Sequence, residues 1–154
     1  MEPMENKIIT SNRKAFHEYI VSERYEAGMV LTGTEVKAAR DGKVNLSDGW
    51  VAIDDHGEAY LYDAHIAKYS HGTYANHVET RPRKLLLNRK ELAKLEAKTE
   101  EKGFTIVPLK MYFQGQHIKL EIGVAKGKKA HDKRDSAAAK EAARSIERAM
   151  KQRR

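Results

Sequence analysis

The 154-residue chain contains no cysteine at all, and it has only three prolines and one tryptophan. The absence of cysteine excludes disulfides, thiolate metal sites and cysteine nucleophiles, and it is typical of proteins of a reducing cytoplasm. No run of about 18 consecutive apolar residues occurs, so no membrane-spanning helix is expected. The first six residues, Met-Glu-Pro-Met-Glu-Asn, lack the basic and then apolar pattern of a secretory signal, and none is expected.

Patterns of catalytic and metal-binding residues are also missing. The seven histidines are scattered, without a His-x-x-x-His pair. Residues 123–129 are similar to a phosphate-binding loop in composition only, because they lack its glycine spacing and its magnesium-binding Ser or Thr. Asp54 and Asp55 fall in a turn, where aspartates bond the local backbone. The sequence therefore predicts a binding protein that is not an enzyme and needs no cofactor or metal; an RNA-processing enzyme is a competing class.

What the sequence does contain is a strongly uneven distribution of charge. The 29 Lys and Arg residues and 22 Asp and Glu residues give a net charge of +7 and a pI near 9.5. Residues 126–154 hold eleven of the basic and four of the acidic residues, so this segment carries the whole excess. A basic segment attached to a neutral body is typical of a protein that binds a polyanion, most often nucleic acid.

The length and the charge pattern predict one folded domain over residues 1–125, of which 1–11 are flexible, and a basic C-terminal tail over residues 126–154. The tail is rich in alanine and has high helix propensity. Its apolar stripe consists mostly of methyl groups, which bury little area. We therefore expect a tail that is flexible or conditionally helical and that orders on phosphates. The alternative is an ordinary helix docked on the body.

The patterns of the body favour β-structure. Apolar or alternating runs predict strands over residues 16–21, 25–31, 50–53, 58–64, 84–87, 104–113 and 117–125. Gly28 predicts a bulge or a sharp bend in the second run, and Pro108 predicts an edge or a bulge in the sixth. Strands that follow one another in hairpin-like pairs indicate an α+β, mainly β fold. We expect an antiparallel, OB-like six-stranded barrel with two short helices.

The two helices are predicted from their ends. Thr34 is the expected N-cap of a helix over residues 35–40. Asn88 has the spacing of a capping box with Glu91, which predicts a helix over residues 89–102 that Gly103 ends. Residues 68–83 show no periodicity and mix aromatic with cationic side chains. A loop of this kind suits contact with bases and phosphates, and the alternative is a solvated loop without a role.

Cations near the predicted strand ends, loops and tail form a candidate RNA-binding set, because together they suit contact with phosphates. Its members are Arg13, Lys37, Arg40, Arg81, Arg83, Lys84, Lys126, Lys128 and Lys129.

Short motifs occur in one order along the chain: Asn12-Arg13, Tyr19, Glu26-Ala27-Gly28, Gly33-Thr34-Glu35-Val36-Lys37, Arg81, Arg83-Lys84-Leu85-Leu86-Leu87-Asn88, Gly127-Lys128-Lys129 and His131-Asp132-Lys133-Arg134. In this order the chain resembles the SsrA-binding protein (small protein B) family over about residues 12–151, with Ala38 where the family usually has Ser. The resemblance implies a factor that binds the tRNA-like domain of tmRNA. It delivers tmRNA to stalled ribosomes for trans-translation, which rescues the ribosome and tags the nascent peptide.

The resemblance also assigns roles to residues. It implies RNA binding by Asn12, Glu26, Leu86 and Asn88, although Leu86 is more simply interpreted as a core residue. In the tail it implies contacts with 16S rRNA in the decoding centre and the vacant mRNA channel. There His131 stacks on a base, Lys133 and Arg134 meet phosphates, and Asp132, Ile146, Met150 and Lys151 belong to the same segment.

The implied partners are tmRNA, the stalled 70S ribosome and elongation factor Tu with GTP. The implied protein is a cytoplasmic monomer that binds no membrane. The competing interpretation is a generic OB-fold RNA-binding or ribosome-associated protein, which would bind unrelated RNA as well as tmRNA.

Overall fold

The structure, a computed structural model, describes residues 7–69 and 76–128. Its nine strands are β1 (Lys7–Ser11), β2 (Tyr19–Met29), β3 (Val44–Asn45), β4 (Trp50–Ile53), β5 (Ala59–Tyr62), β6 (His65–Ile66), β7 (Arg83–Leu86), β8 (Phe104–Gln114) and β9 (His117–Gly127). Its helices are α1 (Arg13–Glu18), α2 (Gly33–Arg40) and α3 (Arg89–Thr99), and none of these has the length and apolar character of a membrane span. The predictions for the tail from residue 129 onward lie outside the described residues.

Six of the strands close into an antiparallel ring. They follow one another in the order β8-β4-β5-β7-β2-β9, and β9 pairs back onto β8. β1 pairs with the end of β8, beyond the point where β4 joins it. β3 and β6 form a separate short ladder. The ring confirms the predicted OB-like barrel of six strands, and the part of the chain that the structure describes contains three helices where two were expected.

The interior of the barrel is filled by alternate residues of its strands. Ile118, Leu120, Ile122 and Val124 of β9 are all buried, as the alternation predicts. Leu95 of α3 joins the same core and is fully buried. The barrel and α3 therefore share one hydrophobic core. Burying a side chain of this size stabilises the fold by about 1.5–3 kcal/mol.

The N-terminal part differs from its prediction. Residues 7–11 were expected to be flexible, but they form β1 on β8. Residues 16–18 were expected to be a strand, but they belong to α1. Asn12 accounts for the helix, because its Oδ1 accepts from the Ala15 N–H at 3.2 Å while its Nδ2 donates to the Pro108 carbonyl at 2.8 Å. The second partner is distant in sequence, so the propensity of residues 16–18 did not decide their structure.

Two positions, one glycine and one proline, were predicted to interrupt the regular strands. The prediction at Pro108 is confirmed, since the register of β8 against β9 shifts between Pro108 and Lys110. Of the two alternatives predicted at Gly28, the bulge is wrong, because Gly28 is in regular register with β9 and β2 shifts register between Val21 and Glu23 instead. The close approach there requires Gly123, where a Cβ would lie only 2.8 Å from Val21 Cγ1.

Both long helices begin with a capping box. The predicted box of α3 is confirmed: the Glu91 N–H donates to Asn88 Oδ1 at 2.8 Å, and the Asn88 N–H donates to Glu91 Oε1 at 3.2 Å. The cap of α2 is Thr32 rather than Thr34, and its N–H donates to Glu35 Oε1 at 2.8 Å. α3 ends at residue 99, earlier than expected, and Gly103 with φ +90° leads the chain into β8.

Candidate nucleic-acid interface

Glu26 and Leu86, two of the predicted RNA-binding residues, lie on adjacent strands on the outer face of the barrel. Gly28 of β2 lies opposite Leu86 of β7, and Glu26 is on the same face as Gly28, two residues earlier along the strand. Leu86 is 52% exposed. This corrects its interpretation as a core residue, because the alternation along β7 buries Leu85 and turns Leu86 outward.

Asn88 extends this surface beyond the end of β7. Its side chain is exposed, and its Oδ1 is used by the cap of α3. The Nδ2 of the same amide is a hydrogen-bond donor. The structure therefore groups an acceptor (Glu26), an exposed apolar side chain (Leu86) and a donor (Asn88) around the adjoining ends of β2 and β7.

The outer face continues over β9 and β8. Glu121 is in register with both Glu26 and Lys110, and Lys119 is in register with Tyr112. The Tyr112 hydroxyl donates a hydrogen bond to Glu26 Oε2. Burial raises the pKa of Tyr112, and the hydrogen bond to Glu26 raises it further, so the phenol is protonated at neutral pH. Alternation along β9 already turned Lys119 and Glu121 outward, but sequence reasoning missed Tyr112 because only the register brings it to Glu26.

Arg83 was predicted to be an RNA-binding cation, and the structure corrects this by placing it in the interior. It is fully buried, and its Nε donates to Glu35 Oε2 at 2.8 Å while its Nη1 donates to the Ala64 carbonyl at 2.7 Å. A guanidinium away from water needs such a carboxylate and carbonyl acceptors. These bonds occupy Arg83 within the fold, so it does not face a phosphate.

Glu35 is the centre of this buried ion-pair cluster, which consists of Glu35, Arg81 and Arg83. Arg81, which is partly exposed, donates to Glu35 Oε1 through Nη2 at 2.7 Å and to Oε2 through Nε at 3.0 Å. Burial by itself raises the pKa of Glu35. The hydrogen bonds from Arg81, the Thr32 backbone and Arg83, together with the Arg83 charge, outweigh burial and lower that pKa below its usual value. The cluster therefore ties α2 to β7 and to the segment before it.

Asn12 is the second predicted RNA-binding residue that the structure buries. It is 4% exposed, and its side chain bonds the Ala15 N–H and the carbonyls of Leu46 and Pro108. Its amide thus satisfies a backbone N–H at the start of α1 and a backbone carbonyl at the bulge in β8. The observed contacts of Asn12 support the fold rather than present a polar group to solvent.

The other cations of the predicted RNA-binding set that the structure describes lie at the surface. Arg13, Lys37, Arg40 and Lys128 are exposed, and Arg81, Lys84 and Lys126 are partly exposed. Lys84 Nζ is 3.1 Å from Glu58 Oε1, and the Nζ atoms of Lys37 and Lys126 lie 5.5 and 5.0 Å from the rings of Tyr69 and Phe104.

Lys126 and Lys128 lie at the far end of β2 from Leu86. The end of β9 pairs with the beginning of β2, where Gly127 is opposite Tyr19. Glu26 follows seven residues later along β2, which is roughly 20 Å at about 3.3 Å per residue. The described start of the basic segment therefore lies well away from the Glu26–Leu86 surface. Lys129 and the predicted tail residues His131, Asp132, Lys133, Arg134, Ile146, Met150 and Lys151 lie outside the described residues.

His77 and the other described histidines do not form a metal site. His77 is buried; its Nε2 donates to the Ile66 carbonyl at 2.8 Å, and its Nδ1 lies 2.8 Å from Thr34 Oγ1. Within residues 7–69 and 76–128, no three His, Asp or Glu side chains are grouped closely enough to hold a metal ion. His77 instead attaches the segment before β7 to α2.

The chain is similar to known proteins over nearly its whole length. The family model described as SmpB protein matches residues 9–152. The SsrA-binding protein of Roseiflexus sp. (strain RS-1) is 53% identical over 148 residues, which cover 96% of this chain and 93% of the relative. That of Carboxydothermus hydrogenoformans is 52% identical over 147 residues, 96% of this chain and 98% of the relative.

A solved structure described as "tmRNA-SmpB: a journey to the center of the bacterial ribosome" is 48% identical in sequence, and its TM-score with this chain is 0.69. The alignment covers 82% of this chain and 88% of that one. The match in sequence extends over nearly the whole chain, and the match in structure includes most of it. The chain belongs to the SmpB protein family.

Proposed function

We propose that this protein binds the tRNA-like domain of tmRNA and delivers it to stalled ribosomes for trans-translation. The observation that carries the proposal is the Glu26–Leu86–Asn88 surface, which stands on the folded barrel apart from the basic end where the tail begins. The relatives are named for binding SsrA, and the similar solved structure is described as tmRNA with SmpB in the ribosome. Two separate surfaces suit a protein that connects one RNA to another.

The chemistry of the barrel surface favours bases and ribose over phosphate. A carboxylate such as that of Glu26 repels phosphate, but it accepts hydrogen bonds from base N–H groups and from 2′-hydroxyls. The half-exposed Leu86 offers an apolar contact for a base or sugar, and the amide of Asn88 donates. Such a surface recognises a structured RNA element with accessible bases, which is the character of a tRNA-like elbow.

The basic end supplies the contact with the ribosome. Lys126 and Lys128 are its described members, and nine further Lys and Arg in residues 129–154 continue it. In this proposal His131, Lys133 and Arg134 meet 16S rRNA in the decoding centre. Residues 146–151 follow the vacant mRNA channel. The support is the charge of the segment and the extension of the family match to residue 152.

The same proposal includes how the factor works in the cell. It acts as a cytoplasmic monomer, and its complex with tmRNA carries elongation factor Tu with GTP. It performs no chemistry itself: the peptide is tagged by the ribosome, and the protein contributes binding and position. The competing proposal of a generic RNA-binding protein differs in one measurable respect, its selectivity among RNAs.

Competition binding tests the proposed function. Unlabelled tRNA-like domain is expected to displace labelled tmRNA at far lower concentration than a structured RNA of equal length and unrelated sequence. Equal displacement by both RNAs would favour the generic alternative. The affinity is also expected to fall with salt, because log K decreases by about 0.7–0.9 per phosphate neutralised, for each tenfold rise in salt. An affinity that does not change with salt would argue against phosphate contacts.

Leu86→Ser tests the barrel surface separately from stability. The side chain is half exposed, so we expect a change in unfolding free energy of no more than about 0.5 kcal/mol. Affinity for the tRNA-like domain is expected to fall by about tenfold, because a buried contact of a leucine contributes about 1.5 kcal/mol or more. The matched control is Ile20→Ser, which removes a side chain of similar exposure at the opposite end of β2. If Leu86→Ser lowered the stability but left the affinity for the tRNA-like domain unchanged, Leu86 would have a structural role and would not bind RNA.

A further inference from the structure

The hydrogen bond between Tyr112 and Glu26 joins two strands that are not neighbours at this point. Tyr112 belongs to β8 and Glu26 to β2, and β9 lies between them. Tyr112 is 5% exposed, whereas Glu26 is exposed at the surface. A buried phenol thus holds a surface carboxylate across an intervening strand, which restricts the directions that the carboxylate can take.

The phenol is suited to this task over a wide pH range. Burial and the neighbouring carboxylates of Glu26 and Glu121 raise the pKa of Tyr112, so its hydroxyl keeps the proton that it donates. Lys110 Nζ lies 5.8 Å from the centre of the Tyr112 ring and contributes a cation–π contact that helps to fix the ring. Because Tyr112 uses Oε2, it orients Oε1 of the same carboxylate as a second acceptor.

The surroundings indicate which group that acceptor receives. Glu26 lies opposite Glu121 in the β2–β9 ladder, and like charges in such positions are unfavourable. Arg24 Nη1 lies 3.7 Å from Glu121 Oε1 and compensates part of the charge. Two adjacent carboxylates repel a phosphate, so the complementary ligand is an uncharged donor. In RNA those donors are base N–H groups and ribose 2′-hydroxyls.

We propose that Tyr112 is a positioning residue for RNA recognition, which holds Glu26 so that Oε1 accepts a hydrogen bond from a neutral donor of tmRNA. The inference rests on the proposed function, because it requires that Glu26 contacts the tRNA-like domain. It adds a residue on a different strand to the recognition surface. It also explains why an acidic side chain stands on a surface that binds a polyanion.

The test is a double-mutant cycle with Tyr112→Phe and Glu26→Gln, measured as affinity for the tRNA-like domain. Y112F removes one hydrogen bond and keeps the ring, and we expect an affinity about 3–10-fold weaker. E26Q is expected to weaken binding about tenfold or more, since it removes a charged acceptor. The double variant is expected to bind no more weakly than E26Q alone, because the phenol acts through the carboxylate. The salt dependence is expected to stay unchanged in Y112F, since no phosphate contact is lost.

Tyr25→Phe is the matched control, because the Tyr25 hydroxyl donates to Glu23 Oε1 at 2.9 Å in the same strand as Glu26. It is expected to leave affinity unchanged. If Y112F binds like the wild type while E26Q binds more weakly, the positioning role is overturned and the proposed function stands. If the losses add in the double variant, Tyr112 acts independently and the inference is wrong. If E26Q itself binds like the wild type, the assignment of Glu26 to the RNA surface fails.

Substituted RNAs distinguish the two sources of the donor. Single 2′-deoxy substitutions in the tRNA-like domain remove a ribose hydroxyl, and inosine in place of guanosine removes the exocyclic amine. The substitution that weakens wild-type binding but not E26Q binding identifies the group that Glu26 accepts from. The same substitution is expected to have a reduced effect on Y112F. An undiminished effect would mean that the carboxylate is positioned without Tyr112, which would overturn the inference.

Discussion

Truncation after Lys128 is expected to abolish peptide tagging while leaving a folded barrel that binds tmRNA. The last ladder of the barrel pairs Lys126 with Phe104 and Gly127 with Tyr19. A cut after Lys128 keeps these pairs and removes most of the basic tail, so the Glu26–Leu86–Asn88 surface at the other end of β2 is untouched. Tagging in a reconstituted translation reaction on an mRNA without a stop codon measures the first effect, and filter binding of tmRNA measures the second.

A second truncation serves as the control for this experiment. A cut after Ala125 also removes Lys126 and Gly127, and with them the final pairs of β9 with both neighbouring strands. We expect the shorter protein to melt at a lower temperature than the one that ends at Lys128. Full tagging by either truncated protein would contradict the division of labour between barrel and tail.

Replacing Glu35 by leucine is expected to reduce the free energy of unfolding by about 3–5 kcal/mol, because it leaves a buried arginine without its carboxylate. Both Glu35 and Arg83 are fully buried, and Glu35 accepts from Arg83 at 2.8 Å. For a domain of this size each kcal/mol shifts the melting temperature by about 2–4 °C, so a decrease of roughly 10 °C is expected. Thermal unfolding followed by circular dichroism measures it.

The partners of Glu35 provide the controls. Arg81→Met removes a partly exposed partner, and its loss is expected to be smaller because solvent screens that pair. The double variant Glu35→Leu with Arg83→Met removes both buried charges and is expected to recover much of the stability lost in Glu35→Leu. If Glu35→Leu were as stable as the wild type, the buried ion-pair cluster would not be an important contribution to the fold.

The buried ion-pair cluster is expected to make the stability of the protein depend on pH in the acidic range. The pKa of Glu35 is lower in the folded protein than its ordinary value of 4.5. Its contribution is therefore present above that ordinary value and is lost as the pH falls through the lower folded value. Part of the wild-type loss of stability in acid is expected to be absent in Glu35→Leu.

Local patterns determined much of this protein. Alternation along residues 117–125 predicted the buried face of β9, the spacing of Asn88 and Glu91 predicted the start of α3, and Pro108 predicted a bulge. Each rests on residues close together in the chain, where stereochemistry and periodicity act directly. The ordered motifs and the charge of residues 126–154 likewise pointed to the family and to a polyanionic partner.

Only the tertiary structure decided which strand faces are buried and which distant side chains pair with each other. Arg83 and Leu86 fall on opposite faces of one short strand by alternation, but only the closed ring of strands makes the face of Arg83 the interior and the face of Leu86 the exterior. Glu35 and Arg83 are 48 positions apart, and Tyr112 and Glu26 are 86 apart. Such pairs form because closing the barrel fixes the register of distant strands, and a buried charge then has to find its partner wherever the fold places one. The spacing of residues along the chain contains no information about the register of distant strands or about these long-range pairs.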